Sequence, residues 1–302
     1  MIYKRAKLIE IVTADKLKLP GILFEPRKRT KRVLVYLHGK GTSSIFYSLN
    51  RIYYQARTLN RAGVSYFAFN NRGAYQYHKI YSKTGKKDKV LAGTAFELIK
   101  DCIKDIDAAM AFLQKQGYKE FYLIGFSTGA NKICVYNYYK PQNKVSKYIL
   151  VGGADDLGLF YIGLGKKKFD ILLDLARQKI KQGKGKELVP RNLIDAVYSY
   201  QSIYDTINPD GDYNVFPYNE YFNHLKQSKK KLFRYFKSIK TPTLVVYGDK
   251  DEYAYGRVQE ILEVLKRTTS APEKFKFVSI KNADHGFTNK DKVLCRAIVE
   301  WL

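Results

Sequence analysis

A series of short apolar runs, several with scarcely a polar residue, constrains the fold of this 302-residue chain more than any other feature. They are "RVLVYLHG" (32–39), "VSYFAFNNRG" (64–73), "FYLIGFSTG" (121–129), "KYILVGGA" (147–154), "PTLVVYGDKD" (242–251) and "KFKFVSIKNADHGF" (274–287). A strand with one solvated face alternates apolar and polar residues; one that is apolar almost throughout is covered on both faces. Segments of helical periodicity lie between these runs. The clearest is 94–116, where Leu98, Ile99, Cys102, Ile106, Ala109, Met110 and Leu113 recur at spacings of three and four before Gly117. Further helices are expected near 47–62, 128–140, 253–268 and 289–302. Strand and helix in alternation predict right-handed crossovers and a mostly parallel, doubly wound α/β sheet with helices on both faces. The segments "LIEIV" and "LPGILFEP" read as an opening antiparallel pair, and the N-terminus as mature structure rather than a signal peptide.

One interval breaks this rhythm. Residues 155–236 separate two predicted strands, and a structureless loop of that length does not suit a compact domain. Helical periodicity at 167–182 and 191–206, followed by the aromatic-rich "INPDGDYNVFPYNE", predicts a helical cap or lid over the sheet. The expected organisation is a core of residues 1–154 and 237–302 with a cap insertion at 155–236. Phe160, Tyr161, Tyr198, Tyr204, Phe216, Tyr218, Tyr221 and Phe222 supply apolar area there, either as the insertion's own core or as substrate contacts.

The chain carries 54 basic and 28 acidic residues, a net charge of +26. Basic clusters fall at 26–32, 83–89, 165–168 and 226–237. They would attract polyanions at low salt. Their scatter, with no zinc-finger spacing, RNP signature or helix-turn-helix, points to compositional bias rather than specific nucleic-acid recognition. No apolar run reaches the roughly 18 residues that a membrane span requires. Cys102, Cys134 and Cys295 are widely spaced in predicted helices and read as buried thiols, which suits a reducing cytoplasm.

Within 125–129 the chain reads Gly-Phe-Ser-Thr-Gly, after an apolar run and before a helical segment. That is the strand–turn–helix setting of a nucleophile elbow, with Ser127 at its tip. Glycines on either side relieve steric collisions in so sharp a turn. The N–H of Thr128 would stand at a helix N-terminus, free to bind an oxyanion. A serine hydroxyl needs a base. Among the histidines, His285 follows the last predicted strand, and so shares the carboxyl-end face of the sheet with Ser127. His38, His78 and His224 do not suit the role: His38 holds its own loop, His78 lies in a polar loop and His224 in the aromatic insertion. The histidine in turn needs an acid. Asp251, in the loop after "VVYG", is the choice; Asp249 stays open, and Asp284 reads as a turn residue. "LHGKG" after an early strand places the N–H of Lys40 as a second oxyanion donor.

These residues resemble the α/β-hydrolase superfamily: HGxG at 38–41, "NNRGA" at 70–74, GxSxG at 125–129, "YGDKD" and "DHGF". The resemblance covers essentially the whole chain and implies the α/β-hydrolase fold. It assigns Ser127, Asp251 and His285 the roles of nucleophile, acid and base, in that chain order. The insertion resembles, more narrowly, a little-studied hydrolase family of unassigned role that includes fungal siderophore esterases. "NNRGAYQY" departs from related lipases in lacking the glycine and serine that often follow Arg-Gly. The function expected is hydrolysis of a small-molecule carboxylic ester with no metal or organic cofactor. A thioesterase, amidase or peptidase could use the same residues. The reading from a different class is a non-catalytic polyanion binder using the basic surface.

Overall fold

The computed structural model of the protein describes residues 6–41, 43–82 and 88–302. Most of the basic cluster at 83–89 lies outside the described residues. An eight-stranded sheet runs in the order β1 (Ala6–Val12), β2 (Lys18–Phe24), β4 (Ser65–Phe69), β3 (Arg32–Leu37), β7 (Glu120–Phe126), β8 (Val145–Val151), β9 (Thr243–Gly248) and β10 (Phe275–Ile280). β1, β2 and β4 join antiparallel, and every pair from β4 to β10 is parallel. The opening antiparallel pair and the parallel sheet predicted from the apolar runs are both present. A separate antiparallel pair, β5 (His78–Tyr81) with β6 (Lys89–Ala92), was not legible: its strands are only four residues each and mostly exposed.

Alternation within each strand feeds two cores. Val33, Val35, Leu37, Phe67, Phe69 and Leu123 face α2 (Cys102–Lys115), α3 (Thr128–Tyr139) and α8 (Val258–Thr268). Leu34, Tyr36, Tyr66, Ala68, Ile124 and Val246 face α1 (Leu49–Arg61) and α9 (Asp291–Trp301). Each large side chain so buried contributes about 1.5–3 kcal/mol of transfer free energy. Both faces are covered, which is why the strands read as nearly unbroken apolar runs.

Helix boundaries depart from the periodicity in two places. The helix expected from residue 94 begins at Cys102, after a single 3-10 turn, and Gly117 ends it with φ 91°. Residues 93–97 are held out of the helix: Gly93 has φ 93°, the Thr94 hydroxyl bonds to Gly41, and Glu97 pairs with Lys132. Within 155–236 the helices are α4 (Asp156–Lys181), bent at Gly165, and α5 (Tyr200–Ile207), followed by α6 (Tyr218–Phe222) and α7 (Arg234–Lys237). The segment divides in its packing. Leu157, Phe169, Leu172, Tyr198, Tyr200 and Ile203 form a core of their own. Tyr213, Phe216, Tyr218, Phe233 and Phe236 join the core under the sheet.

Buried charge also holds the frame. Arg72, in the loop after β4, donates from Nε and Nη2 to Asp105 Oδ1 at 3.0 and 2.7 Å, and its N–H reaches Oδ2 at 2.9 Å. Nη1 donates to Asp15 Oδ2 at 2.9 Å, so one guanidinium ties the β1–β2 turn, this loop and α2 together. Partial burial works to raise the Asp15 pKa, but hydrogen bonds from Arg72 and Thr13 hold it well below the usual carboxylate range.

Replacing Asp105 with Ala strips a buried cation of its inner partner and is expected to cost about 3–5 kcal/mol in urea unfolding. Asp15→Asn, at a half-exposed site, should cost no more than about 1 kcal/mol at neutral pH. Because the folded-state pKa of Asp15 is depressed, its stabilisation is complete above the usual carboxylate range and is lost as pH falls from roughly 4. Thermal unfolding of wild type between pH 5 and pH 2.5 should therefore fall more steeply than that of Asp15→Asn.

Candidate active site

Parallel register brings the carboxyl ends of five strands to one edge. Leu37 lies opposite Gly125, Phe126 opposite Val151, Val151 opposite Val246, and Gly248 opposite Ile280. The loops leaving these ends carry Lys40, Ser127, Gly152, Asp251 and His285, as expected of a doubly wound sheet.

Ser127 occupies a single-residue turn between β7 and α3 with φ 54° and ψ −127°, a region costly for any side chain. Two glycines permit it. A Cβ on Gly125 would strike the Gly129 carbonyl, and one on Gly129 would strike the carbonyl of Leu37 on β3. The chain thus reverses inside one backbone thickness, with the Ser127 N–H donating to Val151 O at 2.8 Å. The Ser127 side chain stays partly exposed while residues 121–126 before it are buried. Thr128 opens α3, so its N–H has no carbonyl one turn back to bind.

His285 and Asp251 sit together against Gly152, the residue after Val151, whose carbonyl accepts from the Ser127 N–H. His285 Nδ1 lies 2.9 Å from both carboxylate oxygens of Asp251, which is 3% exposed. A Cβ on Gly152 would come within 3.2 Å of His285 Cε1, so glycine leaves room for the ring. Among the described residues no hydrogen bond links Ser127 Oγ to His285; such contacts commonly tighten only when substrate is bound. The two loops are laced to each other. Lys250 N donates to Ala283 O at 2.9 Å, His285 N to Glu252 Oε2 at 2.9 Å, and the Tyr253 ring meets the imidazole edge-on with centroids 4.7 Å apart. Asp249 stands apart, with its N–H on Ile280 O and Oδ1 buried without a partner. Asp284 accepts from Thr288 N at 2.7 Å and so closes a turn.

The loop after β3 carries the other candidate donor. His38 is 2% exposed, and its Nδ1–H donates to Gly39 O at 2.8 Å. Burial, aided by the Lys132 ammonium, pushes its pKa down to about 3, so it stays neutral and serves the loop. Lys40 sends its side chain into the insertion, where Nζ donates to Thr206 Oγ1 at 2.6 Å. His78 and His224 belong to the β5–β6 pair and to the turn after α6.

Several supporting residues escaped the sequence reading. Lys132 and Glu97 form an ion pair with side chains 0% and 1% exposed, and Lys132 also donates to Asn71 Oδ1 at 3.0 Å. A lysine within the apolar "ANKICVY" was a usable signal, since such a cation requires a buried partner. Asp156 accepts from Thr128 Oγ1 at 3.3 Å and Asn131 Nδ2 at 3.4 Å, and burial raises its pKa. Its neighbour Asp155 caps α4 by accepting from Gly158 N, and burial pushes it up to about 7. Among the predicted cap aromatics, Phe160, Tyr161, Tyr198 and Tyr204 pack in the insertion's own core, and Phe216, Tyr218 and Phe222 against the sheet core; Tyr221 is exposed. Among the described residues no group of His, Cys, Asp or Glu side chains is placed to hold a metal ion, and no helix is long and apolar enough to cross a membrane.

The structure is similar to several solved esterases. Est1E from Butyrivibrio proteoclasticus, solved with ferulic acid bound, matches with a TM-score of 0.64 and 16% identity over 97% of each chain. The Pyrococcus furiosus esterase Pf2001 matches at 0.56 and 18%, over 99% of this chain and 90% of its own. XC6422 from Xanthomonas campestris, described as an a/b serine hydrolase without lid, matches at 0.54 and 14%, over 100% and 95%. The protein has the α/β-hydrolase fold. No curated protein sequence matches it. Residues 93–302, a stretch containing Ser127, Asp251 and His285, match the model of a family described as a protein of unknown function, DUF1749, and the chain belongs to that family.

Proposed function

We propose that the protein is a serine hydrolase that cleaves a small-molecule carboxylic ester through Ser127, His285 and Asp251. The observation that carries this reading is the buried Asp251 carboxylate against His285 Nδ1, packed on Gly152, next to the Val151 carbonyl that holds the strained Ser127 turn. A carboxylate on Nδ1 fixes the tautomer whose Nε2 can accept a proton, and it stabilises the imidazolium that results.

In this mechanism Ser127 Oγ attacks the ester carbonyl while His285 Nε2 takes its proton. The N–H groups of Thr128 and Lys40 bind the oxygen of the tetrahedral intermediate, each contributing roughly 3 kcal/mol. His285 then protonates the departing alkoxide, leaving an acyl group on Ser127. Water deprotonated by the same imidazole attacks the acyl carbonyl, and Ser127 leaves with the proton. The chain's own residues supply every proton transfer. Residues 155–236 act as the cap, with α4 and α5 beside the loops that carry the donors. The esterase character of the similar structures supports an ester over other acyl substrates, and the ferulic acid held by Est1E makes aromatic acids a first choice for the acyl group. Three buried cysteines without disulfides agree with a reducing, cytoplasmic setting.

A fluorophosphonate probe should label wild type and leave Ser127→Ala unlabelled. On p-nitrophenyl esters, His285→Ala and Asp251→Asn should each lower kcat by roughly 10³–10⁴-fold. Asp249→Asn should stay within threefold of wild type. Normal turnover in Asp251→Asn, or labelling that persists in Ser127→Ala, would refute the assignment.

A further inference from the structure

The Lys40 ammonium is an unusual group to find beneath a cap. Its Nζ lies 4.0 Å from the ring centroid of Tyr213 and 4.9 Å from that of Tyr198, besides its bond to Thr206. A methionine would fill this space without the cost of desolvating a charge, so the amine has a directional task. The hydrogen bonds around it connect α5 with the segments at 94 and 41. Thr206 Oγ1 passes its own proton to Ser202 O at 2.8 Å. Ser202 Oγ reaches Thr94 O at 2.8 Å. Thr94 Oγ1 accepts from Gly41 N at 3.0 Å and donates to Gly41 O at 2.8 Å, returning to the residue after Lys40. Thr94, Ser202 and Thr206 are all fully buried. With water excluded, each hydroxyl depends on a backbone carbonyl of these segments as its acceptor.

We propose that Lys40 is a positioning residue whose side chain, through Thr206, ties α5 to the loop bearing the Lys40 N–H and so aims that donor at the oxyanion site. The proposal rests on the hydrolase reading above, in which this N–H is an oxyanion donor. The same residue therefore contributes twice, its backbone to the transition state and its side chain to the aim of that backbone. The insertion reaches the other donor as well, because Asp156 at the start of α4 accepts from the hydroxyl of Thr128. Both donors are thereby seated by the insertion, one by each of its longer helices. The carboxylates of Asp156, Glu97 and Asp205 and the ammonium of Lys132 surround Lys40. Burial pushes the Lys40 pKa down to about 8, those carboxylates oppose the fall, and the amine stays largely charged at pH 7.

The test compares Lys40→Met, Thr206→Val, Thr206→Ser and the Lys40→Met/Thr206→Val double variant on p-nitrophenyl butyrate at pH 7. A displaced donor weakens transition-state binding and leaves ground-state binding alone. Lys40→Met and Thr206→Val should each lower kcat about tenfold with KM within twofold. Thr206→Ser, which keeps the hydroxyl, should recover to within twofold of wild type. The double variant should be no slower than Lys40→Met, since both remove one link. Single variants with kcat within twofold of wild type, or losses that multiply in the double variant, would overturn the proposal. Amide hydrogen exchange at 39–41 and 200–207 gives a readout independent of turnover. Faster exchange in Thr206→Val supports the tether, and unchanged protection refutes it. Should wild type neither hydrolyse esters nor react with a fluorophosphonate, the hydrolase reading fails and the exchange result alone decides whether Lys40 holds the loop to α5.

Discussion

The close approach of backbone to backbone at the β7–α3 turn is the constraint on which the site depends. Gly125 packs on the carbonyl of Gly129, and Gly129 on the carbonyl of Leu37. No side chain fits in either gap, so β3, β7 and the start of α3 stand at a separation that only glycine allows. That separation sets the depth at which Ser127 emerges and the direction of the free N–H of Thr128. It also holds the loop after β3 beside the serine, where an ideal Cβ on Gly39 would lie 3.1 Å from Ser127 Cβ.

A chain with net charge +26 sets several of its acidic residues against buried or partly buried cations and donors. Asp105 and Asp15 hold Arg72, Glu97 holds Lys132, and Asp251 faces His285. Asp155, Asp156 and Asp205 accept backbone or side-chain hydrogen bonds where the insertion meets the core. The interior meanwhile contains charge pairs whose separation is costly, because a low-dielectric setting penalises an unpaired ion far more than it rewards a paired one. These pairs join segments distant in sequence.

Residues 156–207 meet the loops of the sheet mainly by polar contacts. α5 meets the loops at 40–41 and 94–99 through Thr206, Ser202 and Asp205, while the apolar side chains of α4 and α5 turn toward each other. The stretch from Tyr213 to Phe236 is different in kind: its aromatic rings continue the core beneath the sheet, and the Tyr218 hydroxyl bonds that of Tyr247 on β9 at 2.8 Å. Residues 156–207 are thus held to the loops by hydrogen bonds, which are specific in direction, and residues 213–236 largely by burial, which is not.

The parallel sheet was legible because strands covered on both faces carry an unbroken apolar signature, and β3, β7 and β9 show it plainly. The sharp strand–turn–helix at Ser127 and the place of His285 after the last strand were legible because both are local features. The start of α2 was not, since Thr94 and Glu97 are drawn out of a helical pattern by partners far away in sequence, Gly41 and Lys132. Nor could spacing separate Asp249 from Asp251: both leave the same strand, and only the approach of the His285 loop puts Asp251 beside the imidazole. By itself, then, the order of residues determined the strands, the sharp turn and the face on which the reactive groups gather, all consequences of local sterics and apolar periodicity. The pairing of charges, the seating of the insertion and the direction of the Lys40 side chain were decided by tertiary packing, because each depends on which distant groups share a space closed to water.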